Sequence, residues 1–553
     1  MCKCKGNDGI GVKKMNGFIL RGGLIYDGTG APAYSADVLV REGKIQQIGK
    51  GLAAEQVLEL NAEGCIVTPG FLDTHRHCDI APMRDKNFGE IELAQGITST
   101  VVGNCGLAPV PLDPLQHAEF YEYIEPVVGP ALQSVNTSGY KEYTKALEQS
   151  NLLLNMGFLA GMGAVRYAVK GFSSQPFTAM EQEKAQKLLE QAMDSGALGV
   201  SLGIMYRPEC YTSAQEYAAL IQPVVKKNGL LCTHIRGEGD NLLPSVQEVI
   251  GIAQQTGARL NISHFKATGL RNWRDKIFRA MECISEARAR GQEVTADFYP
   301  YDGGSTTLLS LLPPVLMEKE QKFFATPQGR ERLKTEIYRE HAGWDNMVLS
   351  IGWARVLLSG VKGVRYATCQ GMTFEAAAQK NGYADPADFM AELIAEEGAG
   401  AGIIVLSMDW RDVEEVASLP YTALISDALY GGAGNPHPRL YGAFPRMLQK
   451  FVLEKQIMPM EQAIHKMTGM PAQRFGLNDR GILRPGAKAD LLVFRPEAFF
   501  DTATYTAPCS LAKGLDHAFV NGKHVWSNGT FSPNAIGGRL LRRGESKMES
   551  ECY

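Results

Sequence analysis

The amino-acid sequence predicts an α/β fold. It reads as a parallel sheet of alternating strands and helices, accompanied by a small antiparallel β unit assembled from both ends of the chain. Three observations carry this. Four β-like runs recur at regular spacing with helical patterns between them; the segments 17–66 and 487–526 alternate apolar and polar residues with turn signals; and the chain has 553 residues, room for a large α/β unit. At about 150 residues per domain this length gives three or four units, although one α/β barrel absorbs more than that average.

Taken in order, residues 1–14 are polar and rich in Gly and Lys. They lack the apolar stretch of a signal peptide and are expected to form a disordered extension. Cys2 and Cys4 form a C-x-C without the paired spacing of a zinc knuckle, and Met15, where patterned sequence begins, is an alternative translation start. Residues 15–66 carry Gly22-Gly23, Asp27-Gly28 and Glu42-Gly43 between short apolar runs, as an antiparallel sheet does. The middle, 67–480, holds the runs Leu198–Gly203, Leu230–Ile235, Arg259–Phe265 and Glu293–Tyr299, whose starts are roughly 30 residues apart, the length of one β/α unit. Between them Ala185, Leu188, Leu189 and Ala192 repeat at helical spacing before Gly196, Ser213-x-x-Glu216 reads as a capping box, and Gly257 and Gly291 stop two further helices. This alternation indicates a parallel sheet, closed into a barrel or open and doubly wound. Residues 306–372 fit the repeat poorly and are expected to be an insertion or lid. Residues 481–535 return to the antiparallel pattern, with Asn521-Gly522 as a hairpin turn. Residues 536–553 are expected to be a flexible tail.

Hydrophobic residues make up 45% and charged residues 21%, which excludes a disordered chain. Lys+Arg 56 against Asp+Glu 60 gives a net charge of −4 with no long run of either sign, so a general nucleic-acid or anionic-membrane binder is not expected. Apolar stretches such as Leu308–Met317 are too short and Pro-broken to span a bilayer. Eleven scattered cysteines read as reduced thiols in the cytoplasm. The expected partner is a small molecule, and the oligomeric state is not legible.

Functional side chains of a parallel β/α barrel sit at the C-terminal ends of strands. The apolar segment Cys65–Asp73 runs into Asp73-Thr74-His75-Arg76-His77, where residues i and i+2 share a face, so that His75 and His77 offer two imidazoles from one strand end. His234 ends Leu230-Leu231-Cys232-Thr233, His264 ends Leu260-Asn261-Ile262-Ser263, and Asp427 follows Thr422–Ser426. Only 10 histidines exist in the chain, and four of them lie at such places, which points to a divalent metal site. Cys105, bracketed by Gly103 and Gly106 at the end of Val101-Val102, is a buried small hydrophobe on the bland reading. On the functional one it is a soft ligand favouring zinc, or a cysteine nucleophile.

These motifs resemble the D-aminoacylase (N-acyl-D-amino-acid deacylase) family of the amidohydrolase superfamily over about Met15 to Trp526. The resemblance rests on PGFLDTHRHCD from Pro69, VVGNCG from Val101, THIRGEGD from Thr233 and SHFKATG from Ser263. It continues with DFYPYDGGST from Asp297, ISDALYGG from Ile425, HPRLYGAFPR from His437 and MTGMPAQRFGLNDRG from Met467. It implies a TIM-like (β/α)8 metal-dependent hydrolase barrel with a small β-sandwich domain made by both termini. It also implies zinc, with one tight site at Cys105, His234 and His264 and a second, weaker one at His75 and His77. Asp427 corresponds to the catalytic aspartate, and Lys266, Tyr299 and Ser305 to residues holding the substrate α-carboxylate. Arg236 in the same HIR motif is a further pocket candidate, its bland reading being a structural ion pair. The implied activity is hydrolysis of the amide bond of N-acyl-D-amino acids.

Two positions depart from the family pattern: Ala428 stands where Gly is usual, and Met162 where His is usual, which would remodel the substrate pocket. The rival readings are an amidohydrolase acting on a cyclic amide (dihydroorotase-like or hydantoinase-like), a non-catalytic binding protein on the same scaffold, and a cysteine-nucleophile hydrolase.

Overall fold

The structure is a computed structural model that describes residues 16–431 and 434–545. Its centre is built from parallel strands: β1 (Phe71–Asp73), β2 (Ile97–Val102), β3 (Asn155–Phe158, resuming at Ala160–Gly161), β4 (Gly199–Gly203), β5 (Leu230–His234), β6 (Arg259–Ile262), β7 (Val294–Phe298) and β8 (Thr422–Leu424). β1, β2 and the first part of β3 form one sheet, and the second part of β3 heads another that runs through β4, β5, β6 and β7 to β8. At the remaining edge Arg76 and Ala428 form a parallel bridge. There the Asp427 N–H donates to the His75 carbonyl and the His77 N–H to that of Ala428, both at 2.9 Å. The arrangement is TIM-barrel-like.

The chemistry of this edge explains why it holds. Arg76 is fully buried and reaches Asp73 at 3.2 Å, the Ser426 hydroxyl at 3.2 Å, Glu92 at 2.9 Å and the Tyr430 hydroxyl at 2.6 Å. A guanidinium keeps its charge when buried, so its burial is tolerable only among such partners, and leaving any carboxylate alone would be costly. The helices follow their sequence signals. Ala179–Asp194 starts at a Thr178–Glu181 capping box and buries Ala185, Leu189 and Ala192. Ser213 and Glu216 form the expected capping box, but the helix stops at Leu220 and restarts at Gln222 with Pro223 in its first turn.

Strands from both termini form one nine-stranded sheet in which Leu491–Phe494 pairs antiparallel with Ile66–Pro69, the strand that leads through Gly70 into β1. Asn521 (φ 47°) and Gly522 (φ 76°) turn the expected hairpin with both residues in the left-handed region, as a type I′ turn requires.

The boundaries of the insertion differ from expectation. Gly304–Thr307, Gly402–Val405 and Val356–Gly360 form a separate antiparallel sheet, and a distinct core runs from Leu308 to Val405. The unit therefore spans 304–405 and not 306–372. Helices Phe374–Lys380 and Pro386–Glu397 followed by an apolar strand imitate one more β/α repeat, yet that strand pairs inside the insertion. The expected flexible tail is also corrected for its first part. Leu540 and Leu541 are buried, Leu540 bridges Met156 of β3, and the Gly538 N–H donates to the Leu152 carbonyl at 2.9 Å. Two consecutive leucines give this polar end something to bury. The expectations for residues 1–14, Met15 and 546–553 lie outside the described residues. No helix among the described residues is long and apolar enough to cross a membrane.

Candidate metal centre and active site

The strand ends deliver six side chains to one place. His75 and His77 follow β1, Cys105 follows β2, His234 ends β5, His264 follows β6 and Asp427 follows β8, and all six are buried. Cys105 (φ 53°), His264 (φ 37°) and Asp427 (φ 53°) adopt left-handed backbone conformations that L-residues rarely use. Such conformations persist only where the surroundings over-determine them, which is common at working sites.

Donor atoms of three groups converge within 4.8 Å of one another: Cys105, His234 and His264; His75, His77 and Cys105; and His75, His264 and Asp427. The Cys105 Sγ lies 3.2 Å from His75 Nε2 and 3.6 Å from His264 Nε2, and His234 Nδ1 lies 2.9 Å from His264 Nε2. Asp427 Oδ1 is 3.4 Å from His75 Nε2 and 3.5 Å from His77 Nε2, while its Oδ2 meets Arg439 Nη1 at 2.9 Å. A thiol and imidazoles at this separation form a soft donor set suited to zinc. His75 and His77 face the cluster with Nε2, and their outward Nδ1 atoms are buried without a hydrogen-bond partner.

The electrostatics agree. Burial pushes the Cys105 thiol well above its ordinary range, so alone it stays protonated. Burial drives His75 well below its ordinary value and His234 down to about 3, leaving neutral imidazoles ready to ligate. A divalent cation reverses the logic at the thiol and holds it as thiolate. Burial alone would raise Asp427, but the Arg439 guanidinium at 2.9 Å holds it well below the usual carboxylate range, so it is ionised at neutral pH.

The pocket over this cluster is lined by Lys266, Tyr299, Ser305 and Arg439, with Met205 and Tyr206 on its wall. The sequence-predicted Lys266, Tyr299 and Ser305 are thus brought together with the metal ligands. Arg236 is not. Its guanidinium pairs with Glu248 at 2.8 Å and donates to the Cys210 and Thr212 carbonyls at 2.9 Å each, on the adjoining cavity beyond Met205 and Tyr206, an arrangement that fits its structural ion-pair reading. The strand ends at His234, and the i+2 alternation that would aim Arg236 inward is lost with it. Met162 is fully buried in the main core and does not line the pocket, so it cannot contact a substrate there directly. Ala428 contributes backbone only, accepting from the His77 N–H.

Two residues of the site went unassigned in the sequence. Arg439 stacks over the Tyr299 ring at 4.7 Å while pairing with Asp427. Glu238 meets Lys266 Nζ at 2.5 Å and His264 Nδ1 at 3.0 Å. Both sit inside conspicuous motifs, HPRLYG and THIRGEGD, which were the available signal.

Comparison with known proteins is consistent with this geometry. The profile described as Amidohydrolase family matches residues 373–529. N-acyl-D-glutamate deacylase of Alcaligenes xylosoxydans xylosoxydans is 32% identical over 531 residues, 96% of this chain and 97% of that protein. This chain belongs to the N-acyl-D-amino-acid deacylase family. As a member of that family it is a metal-dependent amidohydrolase. A second deacylase of the same organism, N-acyl-D-aspartate deacylase, is 32% identical over 510 residues, 92% of each chain. The crystal structure of N-acyl-D-glutamate deacylase from Bordetella bronchiseptica is complexed with zinc and a phosphonate mimic of the tetrahedral intermediate. It matches with a TM-score of 0.81 at 32% identity, covering 95% of this chain and 99% of that one. An L-hydantoinase from Arthrobacter aurescens, at 16% identity and a TM-score of 0.52, shares the deacylase fold alone.

Proposed function

We propose that this chain is a zinc-dependent deacylase that hydrolyses the amide bond of N-acyl-D-amino acids to a carboxylate and a free D-amino acid. The observation that carries this is the meeting, in one pocket, of the Cys105, His234 and His264 donors, the ionised Asp427, and the anion-binding wall of Lys266, Tyr299, Ser305 and Arg439. Cys105, His234 and His264 would hold the tight zinc, and His75 with His77 the weaker one. A zinc ion so held lowers the pKa of a bound water to about 7 and polarises the scissile carbonyl.

The protein's own residues supply the rest. Asp427 takes a proton at its carboxylate and returns it to the leaving amine nitrogen. Its ionisation, fixed by Arg439, keeps it competent as a base at neutral pH. Lys266 and Arg439 flank the Tyr299 ring from 5.7 and 4.7 Å, placing two cations where an α-carboxylate would lie and so orienting the amide beside Asp427. The supporting architecture we infer is a closed eight-stranded barrel with the terminal sheet as a β-sandwich domain. A reducing cytoplasmic location is supported by the eight described cysteines, all free.

The test is free-amine release by zinc-loaded protein from paired N-acetyl-D- and N-acetyl-L-amino acids (Met, Leu, Phe, Glu, Asp). Release confined to D isomers is expected. Activity on cyclic amides with none on these compounds would overturn the proposal.

A further inference from the structure

We propose that Glu238 is a positioning residue that serves both halves of the site through one oxygen, orienting the zinc ligand His264 and restraining the carboxylate-binding Lys266. This rests on the zinc reading of Cys105, His234 and His264. The Glu238 Oε1 lies 3.0 Å from His264 Nδ1 and 2.5 Å from Lys266 Nζ, and Lys266 Nζ lies 3.0 Å from the same Nδ1 and donates to the His264 carbonyl at 3.0 Å. His264 faces Cys105 and His234 with Nε2, so its Nδ1 is the outward nitrogen, and a carboxylate there fixes both tautomer and ring plane.

The loop bearing Glu238 is built to hold it still. The Thr268 N–H donates to the Glu238 carbonyl at 2.8 Å, and the Gly237 N–H donates to Ser245 Oγ at 2.9 Å. Asp345, from the insertion, accepts from the Gly239 N–H at 2.7 Å, from the Asn241 N–H at 2.9 Å and from the Asn241 side-chain amide at 2.8 Å. The insertion thereby reaches the metal centre through Asp345, the 237–241 loop, Glu238 and His264. Glu238 is itself buried, so its charge depends on these two partners as much as they depend on it.

One carboxylate oxygen can accept from both groups, and the two roles are separable because removing the lysine leaves His264 Nδ1 with Glu238 as its neighbour of the pair. Zinc affinity is measured by chelator competition on the full-length protein, with KM and kcat taken at zinc saturation. Glu238→Gln is expected to weaken zinc by about 10–100-fold. At saturation it raises KM by about fivefold or more, with kcat within about threefold, because Asp427 is untouched. Lys266→Met is expected to raise KM while holding zinc at least as tightly as wild type, since the ammonium beside Nδ1 is gone and the imidazole is left with the Glu238 carboxylate. Should Glu238→Gln not fold, Lys266→Met carries the test, and a loss of zinc affinity above about tenfold in it overturns the proposal. Unchanged zinc affinity in folded Glu238→Gln overturns it too, with the zinc reading intact. Wild-type protein that holds no tight zinc removes both.

Discussion

The two sides of the metal cluster are built from similar donors but are supported differently. On one side, His264 has Glu238 behind it, and the Cys105 loop is clamped by Ser201, whose hydroxyl donates to the Gly103 carbonyl and accepts from the Gly106 N–H. On the other, the outward nitrogens of His75 and His77 have no partner, and their carboxylate neighbour Asp427 is shared with Arg439. Outer-shell hydrogen bonds stiffen ligands and strengthen metal binding. The comparison teaches that number of donors alone does not rank two sites. On the proposed assignment the supported side would hold the tight ion, and the unsupported side would be where a second ion comes and goes.

The largest effect should come from Cys105→Ala. We expect it to abolish tight zinc and lower activity by about a thousandfold or more, read by metal analysis and amine release on the same sample. Full zinc occupancy in that variant would break the ranking. Asp427→Asn should lose about 10²–10⁴ in kcat while keeping its tight zinc, and near-normal turnover would remove the proton-transfer role from this residue. His77→Ala should leave one tightly held zinc per chain and cost less than the two preceding changes, with the loss confined to the weaker metal titration. Arg236→Gln tests the ion-pair reading: KM should stay within about twofold, while stability falls by about 1 kcal/mol as Glu248, 18% exposed, loses its partner. A large KM change would return Arg236 to the pocket.

A smaller effect concerns the clamp beneath Cys105. Glu209 is buried between Gly106, the Gly203 N–H at 2.9 Å and the Tyr217 hydroxyl at 3.0 Å, and burial raises its carboxyl from 4.5 to about 8. Between those values the folded protein keeps a proton that the unfolded chain has released. This contribution to stability is therefore full below pH 4.5, falls as pH rises across the window, and is flat above it. Glu209→Gln should flatten that part of the Tm-against-pH profile. An unchanged slope between pH 5 and 8 would show that Glu209 does not titrate there.

The six central residues were legible because strand ends are. An apolar run followed by His, Cys or Asp states both position and direction without knowledge of the neighbours. The β/α repeat was legible for the same reason, since periodicity is local. What escaped depended on meetings across the fold. Arg439 reaches Asp427 from a segment that ends no strand, and Glu238 acts from a loop whose shape is set by Asp345, more than a hundred residues away. Arg236 erred in the opposite direction: it stands beside a ligand in sequence, but the backbone leaves the strand between them. The insertion misled because its second half copies a barrel repeat in every respect but strand partner. Residues 537–541 were taken for tail because two leucines are too short a pattern to declare a docking segment.

The sheet shared by the two termini has a temporal consequence. The strand Ile66–Pro69, which aims β1 and hence His75 and His77, takes its antiparallel partner from Leu491–Phe494, and the bridge beside these histidines needs Ala428. Cys105, His234 and His264 all lie within the first 264 residues of the 553. As the chain leaves the ribosome, the proposed zinc donors Cys105, His234 and His264 therefore emerge before Asp427, Ala428 and the Leu491–Phe494 strand that complete the site. The centre is complete only once the C-terminal strand has been made.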